Sequence, residues 1–193
     1  MSVLEILTYP NPRLREVSAP IEIFDEKLKK LTEDMIETMY AAHGIGLAAP
    51  QVGVLQRVVV IDTRPKNEDG RRYDNDEMAE LEKAIPQPLV LINPKIVKGV
   101  GSTTFDEGCL SVPSFYETVE RKEVIEVETY DLKGNKYSFK TDGLLAICIQ
   151  HELDHLEGKL FIDRISFLKS KKIKGQIQKH GYPEKKEKSE VKK

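Results

Sequence analysis

Residues 144–155 have the sequence LLAICIQHELDH, and they contain the most informative pattern in the chain. Its first six residues are apolar, and its last five form an H-E-x-x-H pattern from His151 to His155. Positions four apart lie above one another on the same face of an α-helix, so both histidines can bind one metal ion. The apolar run predicts that the helix is buried, and buried histidines need polar partners. The stretch therefore predicts a buried helix that supplies two metal ligands.

Glu152 follows the first histidine of this pattern directly. It is too close to His151 to serve as a further ligand from the same turn, but it is well placed to exchange protons with a metal-bound water. A solvated, salt-bridged helix face is the alternative, and the apolar run upstream argues against it. Glu152 is therefore a candidate general acid and base.

A third metal ligand must come from another part of the chain, which contains two cysteines. Cys148 lies on the same predicted helix as His151 and is more typical of a small buried hydrophobic residue. Cys109 lies in a short segment, 107–113, that is predicted to connect two strands, and Gly108 beside it allows close backbone approach. Two histidines and one cysteine leave a coordination position open for water, as in catalytic sites. An inert core thiol remains the alternative for Cys109.

The chain resembles the peptide deformylases in three segments, which follow the order of that family's signature motifs. The likeness runs from about residue 3 to about residue 175, and its segments are GIGLAAPQ at 44–51, EGCLS at 107–111 and HELDH at 151–155. The resemblance implies a central helix packed within antiparallel sheets. It also implies an enzyme that removes the formyl group from the N-terminal formyl-methionine of newly synthesised polypeptides and releases formate. N-formylmethionyl nascent peptides are therefore the implied partners.

The resemblance implies that Cys109, His151 and His155 hold one divalent metal ion. Ferrous iron is the implied ion, with zinc, nickel or cobalt as alternative occupants, although a thiolate with two imidazoles also suits zinc by softness and geometry. Such an ion lowers the pKa of its bound water, which attacks the formyl carbonyl, and polarises that carbonyl. Glu152 then takes the proton of the water and returns it to the departing amine.

The resemblance also implies a set of contacts to the substrate. The side-chain amide of Gln51 and the backbone N–H of Leu110 would donate to the oxyanion that forms during the reaction. Gly44 and Gly46 would let an extended peptide lie close to the backbone and pair like an added strand. The methionine side chain would enter an apolar pocket, with plain core as the alternative role for its wall residues Ile45, Leu144, Ile147 and Cys148.

One stretch departs from the pattern expected for this family. Residues 114–116 have the sequence SFY, where a more polar stretch with an arginine is expected beside the substrate. The departure concerns contacts to the substrate backbone on that side, and it leaves the metal ligands and Glu152 unaffected.

Length and composition predict one domain over residues 1–168, and the resemblance implies that this domain is catalytic. A chain of 193 residues with 39% hydrophobic residues is long enough to bury a core. Its longest unbroken apolar stretch is the run of six before Gln150, which is far too short to span a membrane. Two cysteines in different contexts do not indicate a disulfide framework, so the predicted location is the cytoplasm.

Hydrophobic periodicity predicts helices at 25–42 and from Thr141 or Asp142 to about Gly158. Residues 64–84 are polar, and we interpret them as an exposed insertion with a short helix near 78–81. Strands are predicted at 57–62, 89–92 and 119–130, with 137–139 pairing to the last of these across 133–135. This pattern indicates an α+β fold: antiparallel sheets around a central metal-binding helix, with a helix near the C-terminus.

Residues 169–193 form a basic tail, with ten lysines and three glutamates. Their net charge is +7, whereas residues 1–168 carry −9, since the whole chain carries −2. A basic tail on an acidic body is a candidate contact for nucleic acid, here the RNA of the ribosome. The alternative is a solvated helix that frays into a disordered terminus, although Ile173 and Ile177 predict that 169–180 docks on the body.

Two other function classes remain open at this point. A zinc endopeptidase with an H-E-x-x-H helix would take its third ligand from downstream, where Glu157, Asp163 and His180 are the candidates besides the acids of the tail. A catalytically silent module that binds the ribosome is the other class, and the intact Glu152 argues against it.

Overall fold

An antiparallel sheet of five strands and a separate hairpin form the β-structure in this computed structural model, which describes residues 2–68, 70–73 and 78–183. In chain order the strands are β1 (Gly46–Ala48), β2 (Val58–Ile61), β3 (Leu89–Val100), β4 (Thr103–Cys109), β5 (Val112–Arg121), β6 (Val124–Tyr130) and β7 (Lys136–Thr141). The five-stranded sheet has the order β1-β2-β3-β6-β7, and β4 pairs with β5. The helices are α1 (Glu26–Ala41), α2 (Glu80–Lys83), α3 (Gly143–Leu156) and α4 (Phe167–His180). The predicted α+β class with antiparallel sheets is confirmed.

The five-stranded sheet has a helix on each face. Successive side chains of a strand point to opposite faces, and in β2 Val58 and Val60 pack with α1, whereas Val59 and Ile61 pack with α3. All four side chains are fully buried. This two-sided burial explains why β2 is apolar throughout rather than alternating.

Helix α3 lies between this sheet and the β4–β5 hairpin. Leu145 and Ile149 pack against the sheet, whereas His151 and Asp154 form hydrogen bonds with residues of the hairpin. The helix is therefore buried on the sheet side by apolar groups and on the hairpin side by polar groups. Of its two predicted starts, Thr141 and Asp142, the second is correct, since Asp142 is the N-cap residue.

Two strand predictions are wrong in their bounds. Residues 119–130 do not form one strand, because β5 ends at Arg121 and β6 begins at Val124. The side chain of Gln150 accepts from the Lys122 N–H at 2.8 Å and donates to the Lys122 carbonyl at 2.9 Å, which stabilises the chain between the strands. Cys109 is likewise the last residue of β4 rather than part of a segment between strands.

The polar stretch 64–84 is not simply exposed, and here the prediction is wrong. The short helix α2 forms close to its predicted place, but the side chains of Arg72 and Glu82 are buried. One Glu82 carboxylate oxygen accepts the Leu144 N–H at 3.1 Å, so an acid from this stretch caps the N-terminus of α3. Residues 69 and 74–77 of the stretch lie outside the described residues.

Helix α4 docks on the hairpin side of the molecule. Ile173 and Ile177 are buried in a cluster that also contains Val112, Val119 and Phe161. This packing follows the predicted apolar face of 169–180, while 184–193 of the tail lie outside the described residues. The division of the chain at residue 168 stays a prediction.

In the part of the chain that is described, no helix has the length and apolar character needed to cross a membrane.

Candidate metal centre and active site

The structure brings Cys109, His151 and His155 together, although they come from β4 and α3. One potential ligand atom from each residue lies within 4.8 Å of the others, and Cys109 Sγ is 3.2 Å from His155 Nε2. Among the described residues, this is the group of histidine, cysteine and carboxylate side chains able to hold a metal ion. Its one thiolate and two imidazoles form the donor set of a catalytic transition-metal site.

The ring orientation of His151 is fixed by a carboxylate. Glu107 Oε2 lies 2.9 Å from His151 Nδ1, which leaves Nε2 as the ring nitrogen available to a metal ion. Burial alone raises the pKa of Glu107, but hydrogen bonds from Arg121 and His151 outweigh it and lower this pKa to about 2. Glu107 is therefore ionised, and its contact with His151 Nδ1 fixes the orientation of that ring.

The two histidines of this group differ in their electrostatic surroundings. Burial alone lowers the pKa of His151, but hydrogen bonds to Cys109 and Glu107 raise it well above its usual value, so the anionic surroundings favour positive charge there. Burial lowers the pKa of His155 well below its usual value, which leaves a neutral imidazole, the form that binds metals. The site thus brings two histidine rings and a thiol within reach of one another, and the surroundings of His151 favour a positive charge.

Glu152 is only 3% exposed, and its Oε2 has no hydrogen-bond partner among the described residues. Burial raises the pKa of Glu152 to about 7. A group with a pKa near neutrality can both take up and release a proton at physiological pH. Glu152 is therefore suited to general acid–base chemistry beside the metal centre.

Gln51 lies in a short 3-10 helix, Ala49–Val52, immediately after β1. Its Oε1 accepts the Ala48 N–H at 2.8 Å, so the amide cannot rotate freely. Its Nε2 consequently points to the metal centre, 3.2 Å from Ser111 Oγ and 3.6 Å from Cys109 Sγ. Gln51 is 1% exposed, which argues against an ordinary exposed loop glutamine.

Gly44 and Gly46 lie where a side chain does not fit. A Cβ on Gly46 would be 2.4 Å from Glu152 Oε1 and 2.7 Å from Cys148 Sγ. A Cβ on Gly44 would be 2.8 Å from the side chain of Leu110. The backbone of β1 and the residues before it therefore lie directly against the proposed acid–base group and beside the proposed oxyanion donor. Gly46–Ala48 pair with β2, and β1 is the edge strand of the five-stranded sheet.

The four proposed pocket residues are only partly brought together. Ile45 and Cys148 pack in the same apolar cluster, and Cys148 Sγ lies 3.8 Å from the Ile45 carbonyl oxygen. Leu144 and Ile147 lie in the first two turns of α3, where Leu144 is half-buried and Ile147 is buried, outside that cluster. Their contact with a substrate stays a prediction.

The comparison with known proteins decides the family of this chain. A family model for polypeptide deformylases matches residues 3–171. The chain belongs to the peptide deformylase family. It is 50% identical to the peptide deformylase of Alkalilimnicola ehrlichii, over 93% of this chain and 91% of the relative. A crystal structure of peptide deformylase from Ehrlichia chaffeensis, in complex with actinonin, matches with a TM-score of 0.79 and 39% identity, over 93% of this chain and 98% of that one. The deformylase structure from Legionella pneumophila has a TM-score of 0.77 and 41% identity, over 92% and 95% of the two chains.

The endopeptidase alternative finds no support in the described residues around the centre. Two of its candidate third ligands are in ion pairs, Glu157 with Arg57 and Asp163 with Arg15 and Lys174. The ligand group of the described residues contains Cys109 instead. Membership of the deformylase family agrees with this arrangement.

The sequence did not predict the polar network behind the metal centre. Arg121 on β5 donates to Glu107 at 2.6 and 2.8 Å and to Asp154 at 2.7 Å, and Arg164 also binds Asp154. Glu107 could have been suspected, since it lies in the same short motif as Cys109 and a carboxylate commonly orients a metal-binding histidine. Arg121 carries no such signal, because its partners are distant in the sequence.

Substitution of each cysteine separates the two roles assigned to them. We expect Cys109→Ala to lose most of its bound metal, because the two histidines cannot replace the missing ligand. Cys148→Ala serves as the matched control and should keep its metal, with a loss of about 1 kcal/mol in the free energy of unfolding from the small void. Metal content per folded chain, measured by mass spectrometry on the purified variants, checks this. Equal metal content in both variants would contradict the assignment of Cys109 as a ligand.

Proposed function

We propose that this protein removes the formyl group from the N-terminal formyl-methionine of newly synthesised polypeptides and releases formate. One observation carries the proposal: a buried carboxylate, Glu152, lies without a partner on Oε2 directly beneath the Gly46 backbone. It follows His151 on the helix that also contributes His155 to the metal centre. A peptide bound along this backbone would therefore present its first amide to an acid–base group and a metal site together.

Cys109, His151 and His155 would hold one divalent ion, which we propose to be ferrous iron. Zinc, nickel or cobalt would also suit these donors. When bound, the ion lowers the pKa of water and polarises a carbonyl oxygen, which a formamide needs because it is a poor electrophile. The Ser111 N–H and the Gln51 amide both donate to Cys109 Sγ, at 3.4 and 3.6 Å, so the sulfur that would bind the ion is already oriented.

Glu152 performs the proton transfers of the proposed reaction. It takes a proton from the attacking water and delivers it to the nitrogen of the departing amine, which cannot leave as an anion. The burial of this carboxylate serves the reaction in two ways. It raises the pKa of Glu152 to about 7, and it keeps bulk water from competing for the proton.

Gln51 and Leu110 stabilise the oxyanion in this proposal. The amide of Gln51 is already oriented by the Ala48 N–H, so it need not reorganise when negative charge develops. Leu110 follows Cys109 in the turn between β4 and β5, which places its backbone beside the metal centre. Both groups then act on the carbonyl oxygen as it gains charge.

The substrate peptide lies along the open edge of the sheet in this proposal. β1 is the edge strand of the five-stranded sheet, so its outer side is available for an added strand. The methionine side chain would enter the pocket near α3, with walls from Ile45, Leu144, Ile147 and Cys148.

Replacement of Glu152 tests the proposed chemistry. Wild-type protein loaded with ferrous iron should release formate from a formyl-methionyl tripeptide. Glu152→Gln should keep its metal but lose turnover by about 10²-fold or more, because the amide cannot accept the proton. Glu157→Gln is the matched control, since Glu157 is an exposed glutamate at the end of the same helix. A Glu152→Gln variant with most of the wild-type activity would overturn this role.

We further propose that the basic C-terminal segment contacts the ribosome. Nascent chains emerge there, so an enzyme that acts on their first residue gains from being held nearby. Helix α4 keeps Ile173 and Ile177 against the body and leaves Lys171, Lys172 and Lys179 exposed. Lysines on the outer face of a docked helix are positioned to contact RNA phosphates, and such contacts weaken as salt concentration rises.

Because one face of α4 packs on the body, the choice of variant matters for a test of this contact. Deletion of 169–193 would also remove Ile173 and Ile177 from the core, so substitution of exposed lysines is the cleaner change. We expect replacement of Lys171, Lys172 and Lys179 by glutamine to weaken co-sedimentation with ribosomes at low salt and to leave tripeptide hydrolysis unchanged.

The matched control for this test replaces three exposed lysines on the body: Lys27, Lys66 and Lys133. Each triple variant loses three positive charges. A difference in ribosome binding between them therefore depends on where the charges lie and not on how many are lost. Equal ribosome binding by the two variants would contradict the proposed contact.

A further inference from the structure

The polar segment after β2 turns back toward the residues that precede β1. Lys66 and Arg72 form an isolated antiparallel bridge, which closes a short hairpin. The side chain of Arg72 is 7% exposed, and its Nη2 donates to the Gly44 carbonyl at 2.8 Å. Its Nη1 donates to the Arg64 carbonyl at 2.6 Å. A buried guanidinium thus connects this hairpin to the first of the two glycines beside the active site.

Arg72 is held in place by two neighbours. Its guanidinium lies 5.3 Å above the ring of Tyr40, and its Nε is 3.6 Å from an oxygen of Asp62. The side chain of Asp62 is fully buried and also accepts hydrogen bonds from Tyr40 at 2.6 Å and from Arg64. A buried ion pair contributes little to stability by itself, because removing both charges from water is costly. We therefore explain the buried pair of Arg72 and Asp62 by the backbone geometry that it imposes on neighbouring residues.

That geometry concerns two consecutive peptide groups. Arg72 holds the Gly44 carbonyl, and the backbone N–H of Asp62 donates to the Ile45 carbonyl at 2.8 Å. A peptide group is planar, so fixing its carbonyl also fixes the direction of the N–H in the same plane. The N–H groups of Ile45 and Gly46 are consequently oriented by residues outside the active site.

Glycine makes such external support necessary here. Neither Gly44 nor Gly46 can carry a side chain, because Leu110 and Glu152 occupy the space where a Cβ would lie. Glycine has the weakest conformational preference of all residues, so a segment that contains two of them does not hold one shape without outside contacts. Arg72 supplies one of those contacts at Gly44.

We propose that Arg72 is a positioning residue for substrate binding. It holds the Gly44–Gly46 backbone in the shape that pairs with the substrate peptide, and it acts from outside the metal centre. The proposal rests on the proposed function, since it assigns to this backbone the binding of a formyl-methionyl peptide.

Steady-state kinetics of iron-loaded Arg72→Ala and Arg72→Lys variants on a formyl-methionyl tripeptide test the proposal. Arg71→Ala is the matched control, because Arg71 is the exposed neighbour of Arg72 in the same hairpin. For Arg72→Ala we expect KM to rise by about tenfold, the size expected when a hydrogen bond from a charged group is lost. Arg72→Lys should recover part of this loss, and Arg71→Ala should match the wild type. Metal content should be unchanged in all three variants.

The division between KM and kcat distinguishes positioning from general stability. A variant that is merely less folded would contain fewer active molecules, which lowers the apparent kcat and leaves KM unchanged. A wild-type KM in Arg72→Ala would overturn the proposal; if that variant does not fold, a wild-type KM in Arg72→Lys would overturn it. A wild-type enzyme that releases no formate would instead overturn the proposed function, and this inference with it.

Discussion

The guanidinium of Arg121 links the two elements that form the proposed metal centre. It is buried between Glu107 on β4 and Asp154 on α3 and forms hydrogen bonds with both carboxylates. A buried charge is tolerated only when it is paired, so the hairpin and the helix can pack in one relative position without leaving an uncompensated charge. That position brings Cys109 to the two histidines of α3. The proposed site thus depends on an interaction in which none of the metal ligands takes part directly.

The same network gives two nearby carboxylates opposite properties. Glu107 receives hydrogen bonds from Arg121, which outweigh the effect of burial and lower its pKa to about 2. Glu152 has no such donor on Oε2, and burial raises its pKa to about 7. One carboxylate can therefore orient a histidine permanently while the other exchanges protons, a division of roles that environment alone produces.

Local patterns in the sequence predicted the elements that local patterns control. Helices α1 and α3 follow their apolar periodicity, and the H-E-x-x-H spacing placed His151 and His155 on one face. The break between β5 and β6 was not predictable, because it is stabilised by Gln150 from a distant helix. The burial of Arg72 could not be predicted from the sequence either, since a charged residue in a polar stretch indicates exposure unless its partners are known. Long-range polar contacts are the part of this structure that composition and periodicity do not encode.

We propose that one metal ion, held by Cys109, His151 and His155, is required for deformylation. The most direct test removes the metal with a chelator and adds ferrous iron back anaerobically in known amounts, with formate release as the readout. A requirement for one ion predicts that activity disappears on removal, rises in proportion to added iron and saturates at one ion per chain. Full activity in the metal-free protein, or saturation only at two or more ions per chain, would contradict it.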